Sequence, residues 1–133
     1  MNILIADDHA VVRRGLKDIL ADEFDELCVG EACNGQETLE AARKQVWDVV
    51  MLDIKMPGRS GLEVLEELKK LHPKMPVVMI SAFPEEDYAL RAFKLGASGY
   101  VSKEGASDEL LAAIRKALAG GRYVTPALAE KLA

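Results

Sequence analysis

Five polar residues stand out for what they could do together: the adjacent acids Asp7 and Asp8, then Asp53, Ser81 and Lys103. Each ends or closely follows a short apolar run. Three carboxylates drawn to one place repel, and the crowding raises their pKa values. A hard divalent cation relieves that repulsion. Mg²⁺ prefers oxygen ligands, keeps several waters and typically takes one or two carboxylates plus phosphate oxygens. A lysine adds a point charge suited to a phosphate oxygen, and a serine adds a hydroxyl donor. Aspartate can act as a covalent nucleophile and form an aspartyl phosphate. Such a transfer asks more for charge neutralisation and in-line positioning than for bond-making groups. Asp53 is the nucleophile candidate, because it ends a central apolar run with the other acids beside it. Singly, each residue also fits a plainer role. Asp7 and Asp8 could cap a following helix, and Asp53 could open the turn through Met56-Pro57-Gly58. Ser81 and Lys103 could be ordinary loop residues. The functional reading depends on whether the fold brings all five to one edge.

The chain alternates short β-rich runs with longer amphipathic segments five times. The runs are Asn2–Ala6, Leu27–Ala32, Asp48–Leu52, Pro76–Ser81 and Gly99–Val101. Val49-Val50-Met51-Leu52 and Val77-Val78-Met79-Ile80 are continuous apolar stretches, as strands are when helices cover both sheet faces. Between the runs, apolar residues recur on one helical face. The sets are Val12, Leu16, Ile19 and Leu20; Leu39, Ala42 and Val46; Val64, Leu65, Leu68 and Leu71; and Leu110, Leu111, Ile114 and Leu118. Pro84 with Glu85, Glu86 and Asp87 suits the first turn of a fourth helix, and Gly96 suits the position after its end. Ser107 is the expected N-cap of a fifth helix. Five βα units in series predict a flavodoxin-like α/β fold: a doubly wound, five-stranded parallel sheet, order 2-1-3-4-5, with helices on both faces. Ligands of such sheets bind beyond the carboxyl ends of strands 1 and 3, where strand order reverses. Asp7, Asp8, Asp53, Ser81 and Lys103 all fall on that edge.

Composition narrows the function classes. The 133 residues suit one domain, and 50% are apolar. Charged residues make up 29%, with a net charge of −5, which argues against disorder and against nucleic-acid binding by this segment. Cys28 and Cys33 are too few for a disulfide scaffold and are expected as free thiols. No stretch approaches the apolar length of a membrane span, and the first residues meet acid at once, unlike a signal peptide. The expectation is a cytoplasmic protein.

At this point the sequence resembles a response-regulator receiver domain of two-component signalling. The resemblance is carried by Asp7-Asp8, by Asp48 to Gly61 with Asp53 and Lys55-Met56-Pro57-Gly58 inside it, by Ile80-Ser81-Ala82, and by Gly96 to Lys103. It covers residues 1–120. It implies that Asp53 accepts a phosphoryl group from a histidine kinase. It implies that Asp8, Asp53 and the Lys55 backbone carbonyl ligate Mg²⁺, with Asp7 reaching it through water. Lys103, the Ser81 hydroxyl and the Ala82 amide would hold the phosphate oxygens. Ser81 moving onto the phosphate would let Tyr100 turn inward, and that pair would alter the face made by the fourth helix, fifth strand and fifth helix, where a homodimer could form. The tail Gly120 to Ala129 is similar to the linker of the NarL/FixJ (LuxR-type) subgroup. In that subgroup the linker leads to a DNA-binding helix-turn-helix domain that regulates transcription. Residues 121–133 are therefore expected to be linker and the start of one more helix, Ala127 to Leu132, capped by Thr125-Pro126. Many receivers place proline after the lysine, often cis. Glu104 stands there, and a cis non-proline bond costs about 3 kcal/mol, so a trans bond is expected.

Two other functions use overlapping parts. A Mg²⁺-dependent aspartyl-phosphate phosphohydrolase would want Asp-x-Asp on its first strand and a cap insertion, and neither is present. A flavin or nucleotide module would want a glycine-rich phosphate loop after strand 1 and would meet a repelling carboxylate cluster. Arg13, Arg14 and Lys17 read as a solvated helix face. His9 reads as a surface helix start. Trp47 lies about 20 Å along the strand from Asp53 and reads as packing.

Overall fold

A computed structural model describes residues 1–105 and 107–133. Five strands alternate with helices: β1 (Asn2–Ala6), α1 (Ala10–Glu23), β2 (Cys28–Ala32), α2 (Gly35–Lys44), β3 (Val49–Asp53), α3 (Gly61–Leu71), β4 (Val77–Ser81), α4 (Glu85–Lys94), β5 (Gly99–Ser102), α5 (Ser107–Leu118) and α6 (Pro126–Leu132). All strand pairs are parallel, in the order β2-β1-β3-β4-β5. The expected fold class and order are both present.

The all-apolar runs became the fully buried strands. Every residue of β3 and β4 is buried, whereas β2, with Glu31 in it, is an edge strand only partly covered. Alternate side chains feed two cores. Leu4, Val50, Leu52, Val77 and Met79 face α2, α3 and α4, while Ile3, Ile5, Val49, Met51, Val78 and Ile80 face α1 and α5. The strands are shifted from expectation by a residue or so: β3 runs through Asp53 rather than stopping at Leu52, and β2 and β4 begin one residue later. Asp48 instead accepts a hydrogen bond from the Asn2 amide.

Helix ends follow local chemistry. Asn34, Ser60 and Thr125 cap α2, α3 and α6 through their side chains. Gly96 (φ +107) closes α4, with its amide bonded to Phe93 O and that of Ala97 to Ala92 O, a Schellman ending. Three expectations shift here. Pro84 is the N-cap of α4 rather than a residue of its first turn. Ser107 is the first helical residue of α5, so the cap position 106 lies outside the described residues. The helix α2 ends at Lys44, which leaves Val46 outside it and exposed. Trp47 packs as expected, its ring against Gly30, its indole N–H donating to Ala41 O. Cys28 and Cys33 are free, and Cys33 donates to Glu37, whose hydrogen bond pushes the thiol pKa up. No cis peptide bond occurs among the described residues, so Lys103–Glu104 is trans. No described helix is long and apolar enough to cross a membrane.

Candidate functional site

Sheet register assembles the site. Ala6 pairs with Leu52, so Asp7 emerges beside Asp53. Asp53 pairs with Ile80, so Ser81 is the next residue across. Ser81 pairs with Ser102, and Lys103 follows, its amide bonded to Ser81 O at 2.8 Å. The loop after β3 folds tightly back: Lys55 bridges Ser60 in antiparallel fashion, and the Gly61 amide donates to Ile54 O at 2.7 Å. A Cβ at Gly61 would lie 2.0 Å from the Asp53 carbonyl oxygen, so this approach requires glycine.

The side chains converge as the edge argument expects. Asp7 is fully buried, Asp53 is 3% exposed and Ser81 is fully buried. The Lys103 ammonium reaches between the acids, 2.7 Å from Asp7 Oδ2 and 2.9 Å from Asp53 Oδ2. It hydrogen-bonds Asp53. Its contact with Asp7 is an ion pair without direction, and Asp7 Oδ2 is left as a buried oxygen with no well-aligned donor. Burial pushes the Asp53 carboxyl above its ordinary value; Lys103 opposes this, and the charge of Asp7 adds to it. Burial works to lower the Lys103 ammonium, but Asp7 and Asp53 outweigh it and hold the amine above its ordinary value. One ammonium thus serves two buried acids.

Asp7, Asp8, His9 and Asp53 each offer a ligand atom, all within 4.8 Å of one another. The donors are mostly hard oxygens, and one buried oxygen lacks a well-directed partner. That is the donor set a divalent cation such as Mg²⁺ requires, with Asp8 on the solvent side. The cluster could hold a metal ion. The Lys55 amide donates to Asp53 Oδ1 at 3.3 Å, and its ammonium lies over the Phe83 ring, 5.3 Å from the centroid.

Ser81 Oγ accepts from the Phe83 amide at 2.9 Å. Ala82 follows on the exposed lip of β4. Tyr100 lies inward, 6% exposed, with its hydroxyl donating to Phe83 O at 3.1 Å. Burial pushes this phenol up, with the Ser81 hydroxyl opposing. Ser81 and Tyr100 are therefore joined through one residue, Phe83, and the inward Tyr100 position coexists with a Ser81 hydroxyl held by backbone.

Sequence reasoning missed two contributors. Arg13 is not a solvated residue: its guanidinium donates to Asp7 O at 2.6 Å and to Glu31 at 3.0 Å, and Lys17 also reaches Glu31. His9 starts α1 at the surface, as expected, and its Nδ1 also lies 3.0 Å from Asp7 Oδ1 and 3.1 Å from Asp8 Oδ1, a pair of contacts the spacing did not show. Helical spacing put Arg13 and Lys17 on one face but could not show that β2 brings Glu31 opposite.

A family profile described as "Response regulator receiver domain" matches residues 3–115. The chain belongs to that family. It is a receiver domain, the phosphorylation-dependent switch of two-component systems, and response regulators of this kind partner with sensor histidine kinases. It is 40% identical over 133 residues to the response regulator GacA of Pseudomonas viridiflava, covering 100% of this chain and 62% of that protein. It is 34% identical to the response regulator UvrY of Escherichia coli K12, covering 100% of this chain and 61% of that protein. The chain therefore spans about three-fifths of the length of the curated relatives it matches. A solved two-component response regulator of the LuxR family, from Aurantimonas sp. SI85-9A1, superposes with a TM-score of 0.89 at 30% identity, covering 98% of this chain and 94% of that one. These similarities favour the receiver over the phosphohydrolase and the flavin module.

Proposed function

We propose that this receiver accepts a phosphoryl group on Asp53 from a phosphohistidine of a sensor kinase. The P–N bond breaks with its electron pair returning to the imidazole nitrogen, and a P–O bond forms to an Asp53 carboxylate oxygen. The observation that supports this reading is the placement of Lys103, whose ammonium touches both Asp7 and Asp53 where the incoming phosphoryl oxygens would lie. In the transfer, Lys103 passes from Asp53 to a phosphoryl oxygen, the Ser81 hydroxyl turns from the Phe83 amide to another, and the Ala82 amide donates to the group. Asp8, Asp53 and the Lys55 carbonyl would hold Mg²⁺, with Asp7 acting through water. The ion supplies neutralisation of the charge on the phosphoryl oxygens. Asp53 is self-modified and regenerated, so the chemistry is a switch rather than turnover of a substrate.

Residues 1–120 form that switch, and residues 121–133 begin a linker toward an effector domain. We infer a cytoplasmic regulator whose effector is a helix-turn-helix DNA-binding domain controlling transcription. Its self-association would use the face of α4, β5 and α5. Intact mass after incubation with acetyl phosphate and Mg²⁺ tests the chemistry. One phosphoryl adduct is expected, absent with EDTA and in Asp53→Asn. An adduct retained at full yield in Asp53→Asn would overturn the assignment.

A further inference from the structure

The tail after α5 is bound to the same side of the molecule that the switch residues reach. Gly120 (φ +86) ends α5, and the chain then runs along the free edge of β5. The Tyr123 amide donates to Ser98 O at 2.8 Å, and Tyr123 pairs in parallel with Gly99. Arg122 lies over the Phe93 ring of α4 and donates to Phe93 O. Beyond it, α6 lies against α4. Leu128 is buried in the core cluster that contains Ala89, Ala92 and Phe93 of α4. A cavity of about 90 Å³ remains between the helices, bounded by Glu85, Glu86, Leu90, Ala127 and Lys131, so the fit is incomplete.

The Thr125 hydroxyl has two partners. It accepts from the Leu128 amide, capping α6, and it donates to Glu85 Oε1 in the first turn of α4. One hydroxyl therefore ties the starts of two helices. A helix of seven residues does not hold its shape alone, so the order of α6 depends on this seat. Glu85 also ends a short strap from the phosphorylation site. Ser81, Ala82, Phe83 and Pro84 lead directly to it; Ser81 Oγ holds the Phe83 amide, and Phe83 O holds Tyr100. A Ser81 hydroxyl drawn onto a phosphoryl oxygen leaves the Phe83 amide without its acceptor, and the strap and the first turn of α4 shift together.

We propose that residues 122–132 are a latch over the α4–β5 face, that the Thr125–Glu85 hydrogen bond is its catch, and that phosphoryl transfer to Asp53 releases it through the strap from Ser81 to Glu85. The release rests on Asp53 being the phosphoacceptor. The linker is then read directly: the tail that would lead to an effector is held on the switch face in one state and freed in the other. A second copy approaching the α4–β5 side meets the tail first.

Hydrogen exchange of the α6 amides, resolved by mass spectrometry, tests the catch and the release separately. Amides of β3 serve as the internal reference, and intact mass on each sample reports the phosphoryl adduct. Thr125→Val is expected to exchange at least tenfold faster across α6 with β3 unchanged. Thr125→Ser, which keeps the hydroxyl, is expected to match the wild type. Wild type carrying the adduct after acetyl phosphate and Mg²⁺ is expected to accelerate as Thr125→Val does. Glu85→Ala, which leaves the Thr125 cap of α6 in place, is expected to accelerate α6 as well, and unchanged α6 exchange in either Thr125→Val or Glu85→Ala overturns the catch. Unchanged exchange in adduct-bearing wild type overturns the release while leaving the phosphoacceptor reading intact. Failure of the wild type to form any adduct overturns that reading and the release together, and the Thr125 and Glu85 variants still decide the catch.

Discussion

Replacing Lys103 by methionine keeps a side chain as long as the lysine stem to Cε and removes the ammonium that touches two buried acids. At an effective dielectric near 20, each contact under 3 Å is worth roughly 6 kcal/mol before desolvation is counted. Desolvating the three charges offsets most of that attraction, and breaking a buried pair by deleting one partner typically costs about 3–5 kcal/mol. Asp53 can limit the loss by taking a proton, because burial already holds its carboxyl above the ordinary value. We therefore expect a loss of about 3 kcal/mol at pH 8, or roughly 10 °C in melting temperature for a domain of this size. The pH dependence has a definite sign. Without Lys103 the Asp53 carboxyl rises further. A carboxyl whose folded value exceeds its unfolded value favours the folded state in acid and loses that advantage as pH rises through the folded value. The deficit of Lys103→Met is thus largest at and above neutral pH and shrinks on acidification toward pH 5. Urea unfolding of both proteins at several pH values measures it. A deficit below about 1 kcal/mol, the scale of an exposed ion pair, or one that is constant with pH, would refute the buried three-charge account.

Three further outcomes follow from the same geometry. Asp8→Asn relieves like-charge crowding at the solvent side of the cluster. It should raise stability in chelator by up to about 1 kcal/mol; a clearly lower melting temperature there would count against crowding. Mg²⁺ at a hundred times its dissociation constant should add about 2.7 kcal/mol to the wild type, read by calorimetry with and without EDTA. An unchanged melting temperature would remove the metal from the account. Gly61→Ala places a methyl against the Asp53 carbonyl and Ile54 Cα, both backbone. A loss of about 3 kcal/mol is expected, with slowed adduct formation; a wild-type melting curve would contradict the tight loop.

The strands and their order were legible because β3 and β4 carry continuous apolar runs, which fit a sheet covered on both sides. Once the order is known, register alone brings Asp7, Asp53, Ser81 and Lys103 together, so these residues could be named without side-chain coordinates. The rest depended on contacts distant in sequence. Arg13 looks solvated on its own helix and is held because β2 presents Glu31. His9 follows two acids in a way that also suits a helix start, and only its ring position shows it beside both. The burial of Leu128 requires α4, far back along the chain, and two turns of helix carry too little pattern to reveal their partner. Tyr100 was expected to turn inward as Ser81 moves, and its inward position here is set by a local acceptor, Phe83 O, that sequence does not display.

The assignment of function stands or falls on Asp53 as the group that becomes phosphorylated. Borohydride reduction after treatment with acetyl phosphate and Mg²⁺ converts an aspartyl phosphate to homoserine, and peptide sequencing by mass spectrometry then locates it. Homoserine is expected at position 53, dependent on Mg²⁺, with Asp7 and Asp8 unmodified. Modification at Asp7 or Asp8 with Asp53 intact would contradict the assignment.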